Sequence, residues 1–519
     1  MPSPSSQNAN KWLVAGTVLT GTFMAVLDSS IVNVALDHMS GSLGASMQEI
    51  TWVVTGYILA QVIVMPIIAL LSARLGRKRL YMFCVALFTA ASMACGMAHT
   101  LSTMVLFRIF QGLGGGVVMA ASQAILREGF PAEEQGLAMG LYGMGAVVAP
   151  AIGPTFGGWL VDQYSWPWIF YINVPVGIVN LLLVSRFIED PPYLVRDRGR
   201  IDALGVALMA VGLGSFQLML EKGQEENWFE SSFITTLAIV AAAAMLAFVA
   251  RELIVENPAV DLRLLRSRSF TSATLMNGVL GAGLNGSLFL LPLFLQQLMG
   301  YPAMDAGLAL MPRSIAMLVL MPIGGKLYNR LGPRVLVGAG LAISASSFWM
   351  LAHLTNQVGY WDLFFPQMWQ GVGFSVIFVG LSTAALSSVS RPEMTAATGL
   401  YNVVRQVAGS IGIAVAATSV TSNTTRYMSD LSSHVAVTSA SGQRWLSAVG
   451  SGMAAHGADP VTARAMARQL LLSNLLREAQ VLAYNHVFQS IAMTFAMVFP
   501  LVITLRQKRG GEIAEVMAE

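Results

Sequence analysis

The sequence predicts an all-α polytopic membrane protein, and three observations support this class. Charged residues are scarce, because 30 Lys and Arg with 27 Asp and Glu make up only 11% of the 519 residues, against about 25% in an ordinary soluble domain. Hydrophobic residues make up 55%, and the mean hydropathy is +0.63. Apolar stretches of membrane-crossing length recur along the chain. These features exclude a soluble enzyme, a nucleic-acid-binding protein and a disordered protein.

Fourteen apolar stretches are long enough to cross the hydrocarbon core, which takes about 20 helical residues. The first eight lie near 12–36, 51–72, 80–98, 103–126, 137–161, 168–186, 202–220 and 232–250. The last six lie near 270–298, 304–327, 335–354, 361–387, 396–422 and 484–505. We therefore expect fourteen transmembrane helices.

The basic residues predict how these helices are oriented, because Lys and Arg concentrate in cytoplasmic loops. With a cytoplasmic N-terminus, most of the 30 basic residues fall on the cytoplasmic side. The short external loops contain only Lys222, whereas Arg108, Arg313 and Arg405 lie inside predicted spans. We expect both termini in the cytoplasm of a bacterium, with the chain embedded in the lipid of the inner membrane.

Three short motifs occur twice in the same order, about 257 residues apart, which indicates two homologous halves. The pairs are 74–79 with 330–334, 111–114 with 370–373, and 27–29 with 284–286. The resulting domain prediction is a cytoplasmic N-terminus 1–11, a first six-helix half 12–200, two linker helices within 201–269, a second six-helix half 270–505 containing a long periplasmic loop 423–483, and a cytoplasmic tail 506–519.

The fifth predicted span carries small residues at every fourth position, including Gly145, Gly153 and Gly157. Such a stripe lets a neighbouring helix approach closely. Pro150 and Pro154 each remove a backbone donor and bend the helix. A bent, closely packed helix suits a joint between rocking halves, and helix packing alone explains the pattern equally well.

The loop after the second span, residues 74–79, is rich in basic residues and directly follows Ala73. A similar loop, residues 330–334, occurs in the second half. Together with the fifth span and with residues 27–36, the loop 74–79 resembles the motifs of the major facilitator superfamily, in the fourteen-helix drug:proton antiporter branch of the EmrB/QacA type. In that family an Asp stands at the place of Ala73. The resemblance covers almost the whole chain and implies two six-helix halves with two inserted linker helices. It implies gating or conformational roles for Arg74, Gly76, Arg77, Arg330, Gly332, Gly145, Pro150, Gly153, Pro154 and Gly157. For the basic residues among them, a role in membrane topology alone is the alternative.

Asp28 is the only carboxylate deep inside a predicted span, and Arg108 lies deep in the fourth span. A charged side chain in lipid costs several kcal/mol, so both are expected to face a cavity or a partner. Burial disfavours the charge on a carboxylate and a nearby arginine favours it. Such competition suits proton coupling, which we assign to Asp28 and Arg108. A permanent structural pair, or a packing tie to backbone carbonyls, is the alternative.

Other polar residues inside the spans, or in segments that resemble the same branch, are candidates to line a substrate cavity, with interhelical hydrogen bonding as the alternative. They are Asn33, Tyr57, Gln61, Gln111, Asn285, Gln296, Gln297, Arg313, Tyr401, Asn402, Arg405 and Gln406. Because one deep acid faces three deep arginines, we expect neutral or anionic amphiphiles rather than dications as substrates.

The leading prediction is a proton-coupled exporter of toxic amphiphiles that works by alternating access; no nucleotide-binding motif is present, and the proton gradient replaces a cofactor. We expect no metal site and no nucleic-acid partner. A dedicated exporter of one metabolite or siderophore, and a non-transporting membrane receptor, are the alternatives. The resemblance also implies that the loop 423–483 contacts a periplasmic adaptor (EmrA-like) and an outer-membrane channel (TolC-like). A self-contained lid is the alternative for that loop. Within it, Asp459 and Pro460 predict the N-cap and the first position of a helix that runs from 461 into the last span.

Overall fold

The computed structural model describes residues 4–191, 202–255, 258–434, 440–456 and 459–505, and within these ranges the regular elements are helices. The predicted tail 506–519 lies outside the described residues, as does the predicted boundary near 200. The helices of the first half are α1 (Pro4–Leu43), α2 (Met47–Ile50), α3 (Trp52–Val64), α4 (Ile68–Leu75), α5 (Arg77–Gly96), α6 (Leu101–Gly129), α7 (Gln135–Gln163), α8 (Trp168–Tyr171) and α9 (Asn173–Phe187).

The remaining helices follow in chain order after the gap. They are α10 (Ala203–Lys222), α11 (Ser232–Ile254), α12 (Arg268–Leu293), α13 (Ala303–Leu351), α14 (Tyr360–Ser387), α15 (Met394–His434), α16 (Ala440–Ala455) and α17 (Pro460–Met497). A short π-helix, Phe294–Leu298, follows α12, and a 3₁₀ helix, Phe499–Thr504, follows α17.

Twelve helical segments of the described chain are long and apolar enough to cross a membrane, so the protein is a multi-pass membrane protein. One segment, Met304–Leu351, has 48 residues, which at 1.5 Å per residue is about 70 Å, twice the length that a bilayer core of about 30 Å requires. Its backbone is interrupted at Gly332, with φ 73° and ψ 167°. The twelve do not include α7, whose 29 residues cover the predicted fifth span. The count of fourteen stays a prediction, which α7 and α13 support.

Two predicted segments differ from the structure. The second span is broken, because α3 ends at Val64 and α4 begins at Ile68 around Pro66, which has no N–H to donate and disfavours helix in the preceding residue. The predicted periplasmic loop 423–483 contains more helix than the run from 461 that the sequence predicts, because its described residues before 457 are also mostly helical. Helix α15 packs along α17, and α16 packs against α17. This packing buries Ala463 and Ala467 and keeps the segment helical.

The start of α17 follows the predicted pattern. The Asp459 carboxylate accepts hydrogen bonds from the N–H groups of Val461 and Thr462 at 2.9 and 3.2 Å. Pro460 occupies the first turn, where a missing N–H costs nothing. The helix then continues without interruption to Met497, so one element joins the membrane to the outer segment.

The two halves repeat the same close backbone contact. A Cβ on Gly112 of α6 would collide with the carbonyl oxygen of Tyr57 on α3, and a Cβ on Gly371 of α14 would collide with the carbonyl oxygen of Arg313 on α13. The equivalence of these pairs supports the predicted repeat. The domain boundaries themselves stay a prediction.

The halves contact each other where α7 packs on α13 and where α15 packs on α3 and α4. Gly140 of α7 lies against the carbonyl oxygen of Met321, and Gly399 of α15 lies against the carbonyl oxygen of Met65, with no room for a Cβ at either place. Each glycine is five residues after the start of its helix. These contacts lie toward the face of the bundle that carries the loops 74–79 and 330–334, here called the basic face.

The linker pair α10 and α11 packs together, and α10 touches both halves through α3 and α15. Gln217 Nε2 donates to Ser410 Oγ at 2.7 Å, and Lys222 Nζ donates to Thr51 Oγ1 at 2.7 Å. The pair therefore joins the two halves at the face opposite the basic face.

Candidate functional site

Asp28 lies at the centre of a buried polar cluster built by four helices. Its side chain is fully buried on α1. Oδ2 accepts from Arg108 Nη1 of α6 at 2.5 Å, and Oδ1 accepts from Gln111 Nε2 at 2.7 Å and from Asn173 Nδ2 of α9 at 2.8 Å. The carboxylate thus has three donors and no contact with solvent.

Arg108 uses three sides of its guanidinium. Nε donates to the carbonyl oxygen of Val53 on α3 at 3.1 Å, and Nη1 is shared between Asp28 and Gln111 Oε1, the latter at 2.8 Å. The guanidinium carbon lies 4.2 Å from the centre of the Tyr57 ring, a cation–π contact worth about 2 kcal/mol when desolvated. The Tyr57 hydroxyl is held by the carbonyl of Ala25 at 3.0 Å.

The packing of this cluster depends on the charge of Asp28. Removing one partner of a buried ion pair costs about 3–5 kcal/mol, because the other charge stays uncompensated. A proton on Asp28 cancels the charge that holds Arg108, Gln111 and Asn173 in place. The cluster joins α1, α3, α6 and α9, so loss of this charge would weaken contacts among all four helices.

The predicted pair of Asp28 and Arg108 is therefore brought together, with Gln111 and Tyr57 beside it. Asn173 and Ser92 were not predicted as site residues. Asn173 Nδ2 also donates to Ser92 Oγ at 3.0 Å, and the Ser92 hydroxyl donates to the carbonyl of Phe170 at 2.9 Å. The sequence signal that could have identified Asn173 is its position in the predicted sixth span, 168–186, which begins with a segment that resembles the antiporter branch.

A second buried cluster lies in the other half, around Arg313. Arg313 is buried, and its Nη1 donates to Ser287 Oγ at 3.0 Å and to Gln370 Oε1 at 3.1 Å. Among the described residues no carboxylate forms an ion pair with it. The amide nitrogen of Gln370 and both polar atoms of the Gln367 side chain are buried without a hydrogen-bond partner.

The remaining cavity candidates are dispersed. Asn402 is buried and donates across the halves to Gln123 Oε1 at 2.5 Å, while its Oδ1 accepts from Arg405 Nη2 at 3.3 Å. Tyr401 is buried, and its hydroxyl has no hydrogen-bond partner. Gln61 is buried, Asn285, Arg405 and Gln406 are half-buried, and Asn33, Gln296 and Gln297 are exposed. Their role as cavity residues stays a prediction.

The basic face carries the predicted gating residues. Arg77 is buried and forms a two-point ion pair with Glu128 at 2.7 and 3.2 Å, and it also donates across the halves to Thr395 at 3.2 Å. Gly76 has φ 84°, and a Cβ there would lie 2.7 Å from Asp190 Oδ2. The family's Asp is absent at Ala73, and the acidic groups that contact this loop are instead Glu128, which pairs with Arg77, and Asp190, which accepts from the N–H of Lys78.

The other gating candidates on this face are Gly332, Arg330 and Arg74. Gly332 has φ 73°, so it repeats the turn of Gly76 in the second half. Arg330 is exposed and Arg74 is half-buried. Asn329 beside Arg330 donates to the carbonyl of Glu133 in the first half. The backbone turn at Gly76 thus recurs at Gly332 in the second half.

The small-residue stripe of α7 packs on α1. A Cβ on Gly153 would lie 2.6 Å from Ser30 Oγ, and one on Gly157 would lie 2.5 Å from Ile31. Gly145 is looser, at 3.2 Å from Leu19. Helix α7 runs through Pro150 and Pro154 without a break. Pro154 leaves the carbonyl of Pro150 without its helical donor, and the Ser30 hydroxyl bonds to that carbonyl at 3.4 Å.

The fold and these clusters define a multi-pass helical membrane protein with polar sites buried inside two related halves. Residues 18–413 match the Major Facilitator Superfamily. The chain belongs to this superfamily.

Relatives with assigned names cover most of the chain. It is 37% identical over 410 residues to the multidrug export protein EmrB of Haemophilus influenzae, covering 79% of this chain and 80% of that one. It is 36% identical over 415 residues to the EmrB of Escherichia coli, covering 80% and 81%. It is also 36% identical over 396 residues to the fatty acid resistance protein FarB of Neisseria gonorrhoeae, covering 76% and 78%.

Two solved structures share the fold alone. The human organic anion transporter MFSD10 matches with a TM-score of 0.60 and 14% identity, covering 95% of this chain and 99% of that one. The proton:xylose symporter XylE matches with a TM-score of 0.57 and 12% identity, covering 95% and 96%.

Proposed function

We propose that the protein is a proton-coupled multidrug exporter that works by alternating access. The names and identities of its relatives support export of drugs. The observation that carries the proton coupling is the fully buried pair of Asp28 and Arg108, held by Gln111 and Asn173. A buried titratable group that ties four helices together is suited to link proton binding to a rearrangement.

The orientation belongs to the same proposal. The basic face is cytoplasmic, and both termini lie in the cytoplasm of a bacterium, with the chain in its inner membrane. In the outward-facing state Asp28 takes a proton from outside, which weakens its hold on Arg108. The halves then rock, and the proton leaves inward. The membrane potential contributes about 2.3 kcal/mol per charge for each 100 mV.

The named residues of the basic face close the cytoplasmic side in this proposal. Arg77 contacts both its own half and Thr395 of the other. Gly76 and Gly332 make the turns that position these loops. Opening toward the cytoplasm breaks the contact between Arg77 and Thr395 while the ion pair with Glu128 stays within one half.

The substrates in this proposal are neutral or anionic amphiphiles. The first-half acid is already paired with Arg108, whereas Arg313 has no paired carboxylate among the described residues. The net buried charge therefore favours an anion. The name of the Neisseria relative refers to fatty acids, which are anionic amphiphiles.

Substrate-dependent proton flux in proteoliposomes tests the coupling. We expect Asp28→Asn to abolish this flux, because the amide keeps the shape of the carboxylate but binds no proton. The same variant is expected to retain counterflow, in which labelled and unlabelled substrate exchange without net proton movement. Asp37→Asn, the same change at an exposed carboxylate of the same helix, serves as the control with wild-type flux. A wild-type proton flux in Asp28→Asn contradicts the proposal.

The outer segment is proposed to contact a periplasmic adaptor of the EmrA type, which joins the exporter to an outer-membrane channel of the TolC type. Helices α15 and α17 have 41 and 38 residues, about 60 Å each. That is about 30 Å more than a bilayer core. Exposed apolar side chains such as Leu472 and Leu476 lie on the outer part of α17.

A further inference from the structure

The two halves use the same framework to hold an arginine, but only one of them supplies a carboxylate. In the first half Gly112 packs on the carbonyl of Tyr57 and on the Cβ of Ala60, which a Cβ on Gly112 would approach to 2.9 Å. In the second half Gly371 packs on the carbonyl of Arg313, and its added Cβ would lie 2.8 Å from the Cβ of Ala316. Arg313 therefore occupies the position of Tyr57.

The glutamines next to these glycines occupy equivalent positions too. Gln111 directly precedes Gly112, and Gln370 directly precedes Gly371. Gln111 Oε1 accepts from Arg108 Nη1 at 2.8 Å, and Gln370 Oε1 accepts from Arg313 Nη1 at 3.1 Å. Each half thus orients one buried arginine through the oxygen of the same glutamine amide.

The other end of each amide differs between the halves. Gln111 Nε2 donates to the carboxylate of Asp28 at 2.7 Å. Gln370 Nε2 is buried and has no hydrogen-bond partner. The repeat places Asn285 where the first half has Asp28, and Asn285 donates instead to the carbonyl of Gly281 in its own helix. The second half therefore has a buried cation and a free amide donor in the arrangement that holds a carboxylate in the first half.

The energetics favour a ligand at this place. A buried polar group without a partner costs about 1–3 kcal/mol, and an unpaired buried charge costs more. A carboxylate bound between Arg313 and Gln370 satisfies both groups with charge-assisted hydrogen bonds. Arg313 and Gln370 each lie ten residues into their helices, so the site is about 15 Å from the face opposite the basic face.

We propose that the second half binds the carboxylate of an amphiphilic substrate between Arg313 and Gln370, in the place where the first half carries its own carboxylate, Asp28. Ser287, which accepts from Arg313 at 3.0 Å, orients the guanidinium for this ligand. The inference rests on the proposed export function and names the substrate group that this function recognises.

Binding of labelled decanoate to the purified full-length protein tests the site, with decanol as the neutral ligand of equal chain length. We expect Arg313→Gln to weaken decanoate binding at least tenfold and to leave decanol binding unchanged. Arg313→Lys is expected to recover part of the affinity, because it restores the charge without the planar fork. Arg127→Gln is the matched control, since Arg127 is buried outside this cluster, and it should bind decanoate like the wild type.

A second variant keeps the test decisive if Arg313→Gln does not fold. Ser287→Asp places a carboxylate of the protein itself beside Arg313 and is expected to block decanoate by occupying its site. Decanoate affinity that is unchanged in a folded Arg313→Gln or in Ser287→Asp overturns the inference, as does a wild type that binds no decanoate. Proton flux driven by a neutral substrate reports on the export function separately, because Asp28 and not Arg313 carries it.

Discussion

At the scale of single residues, the first-half cluster depends on the shape of arginine as well as on its charge. One guanidinium reaches Val53, Asp28 and Gln111 while lying over the Tyr57 ring. Lysine has the same charge but lacks this planar set of donors. A positive charge alone is therefore not enough at position 108, because the contacts also require the planar guanidinium of arginine.

We expect Arg108→Lys to fold and to lower the initial rate of substrate-dependent proton flux at least about tenfold, since each lost charge-assisted hydrogen bond is worth about 1.5–3 kcal/mol. Tyr57→Phe is the control, because it keeps the ring beneath the guanidinium and loses only the hydroxyl, which bonds to the carbonyl of Ala25 and contacts Gln61. It is expected to keep most of the rate. Equal rates in both variants would show that the geometry of Arg108 is unimportant.

The sequence predicted Asp28, Arg108 and Gln111 because charged and amide side chains stand out in apolar spans. It did not predict Asn173, which is uncharged and begins a helix, where polar residues are common. It also did not predict that the carbonyl of Val53 accepts from Arg108, because every residue has a backbone carbonyl and the sequence does not show which of them bonds to a side chain. The sequence also did not predict Glu128 and Asp190 as the acidic partners on the basic face. The family motif has its acid at the position of Ala73, so no acid was expected from other helices.

At the scale of elements, α7 and α1 pack through a face that tolerates no added atoms. We expect Gly153→Val to lower the free energy of unfolding by about 1–3 kcal/mol, the usual cost of overpacking, because its Cβ would meet Ser30 at 2.6 Å. Gly158→Val is the matched control, since the nearest atom to its Cβ is 3.8 Å away on Val34. Thermal unfolding of the purified variants measures the difference, and equal midpoints would refute it.

Helix lengths were predicted where hydropathy alone decides them, as in α10, which begins and ends within two residues of the predicted span. They were not predicted where packing extends a helix beyond the lipid. Helix α15 continues to His434 because α17 lies along it, and the apolar window of the sequence ends earlier. Pro66 could have signalled the break of the second span, but the apolar run on both sides of it concealed the interruption.

At the scale of the whole molecule, the outer helices should be separable from transport itself. We expect deletion of 440–456, which removes α16 but keeps the packed pair of α15 and α17, to leave proton flux in proteoliposomes unchanged. The same deletion is expected to abolish export across a double-membrane envelope, because the adaptor loses its contact. Drug accumulation in intact cells measures this loss. Unchanged export from cells that express the deletion at wild-type levels would exclude the adaptor contact.

The glycine contacts between the halves place backbone directly against backbone at the basic face. Gly136 and Gly140 of α7 lie against Gly325 and Met321 of α13, and Gly399 of α15 lies against Met65 at the end of α3. The halves can separate at this face only if all of these contacts part. A larger side chain at any one of the three glycines would therefore hold the halves apart at the basic face and favour the arrangement in which that face is open.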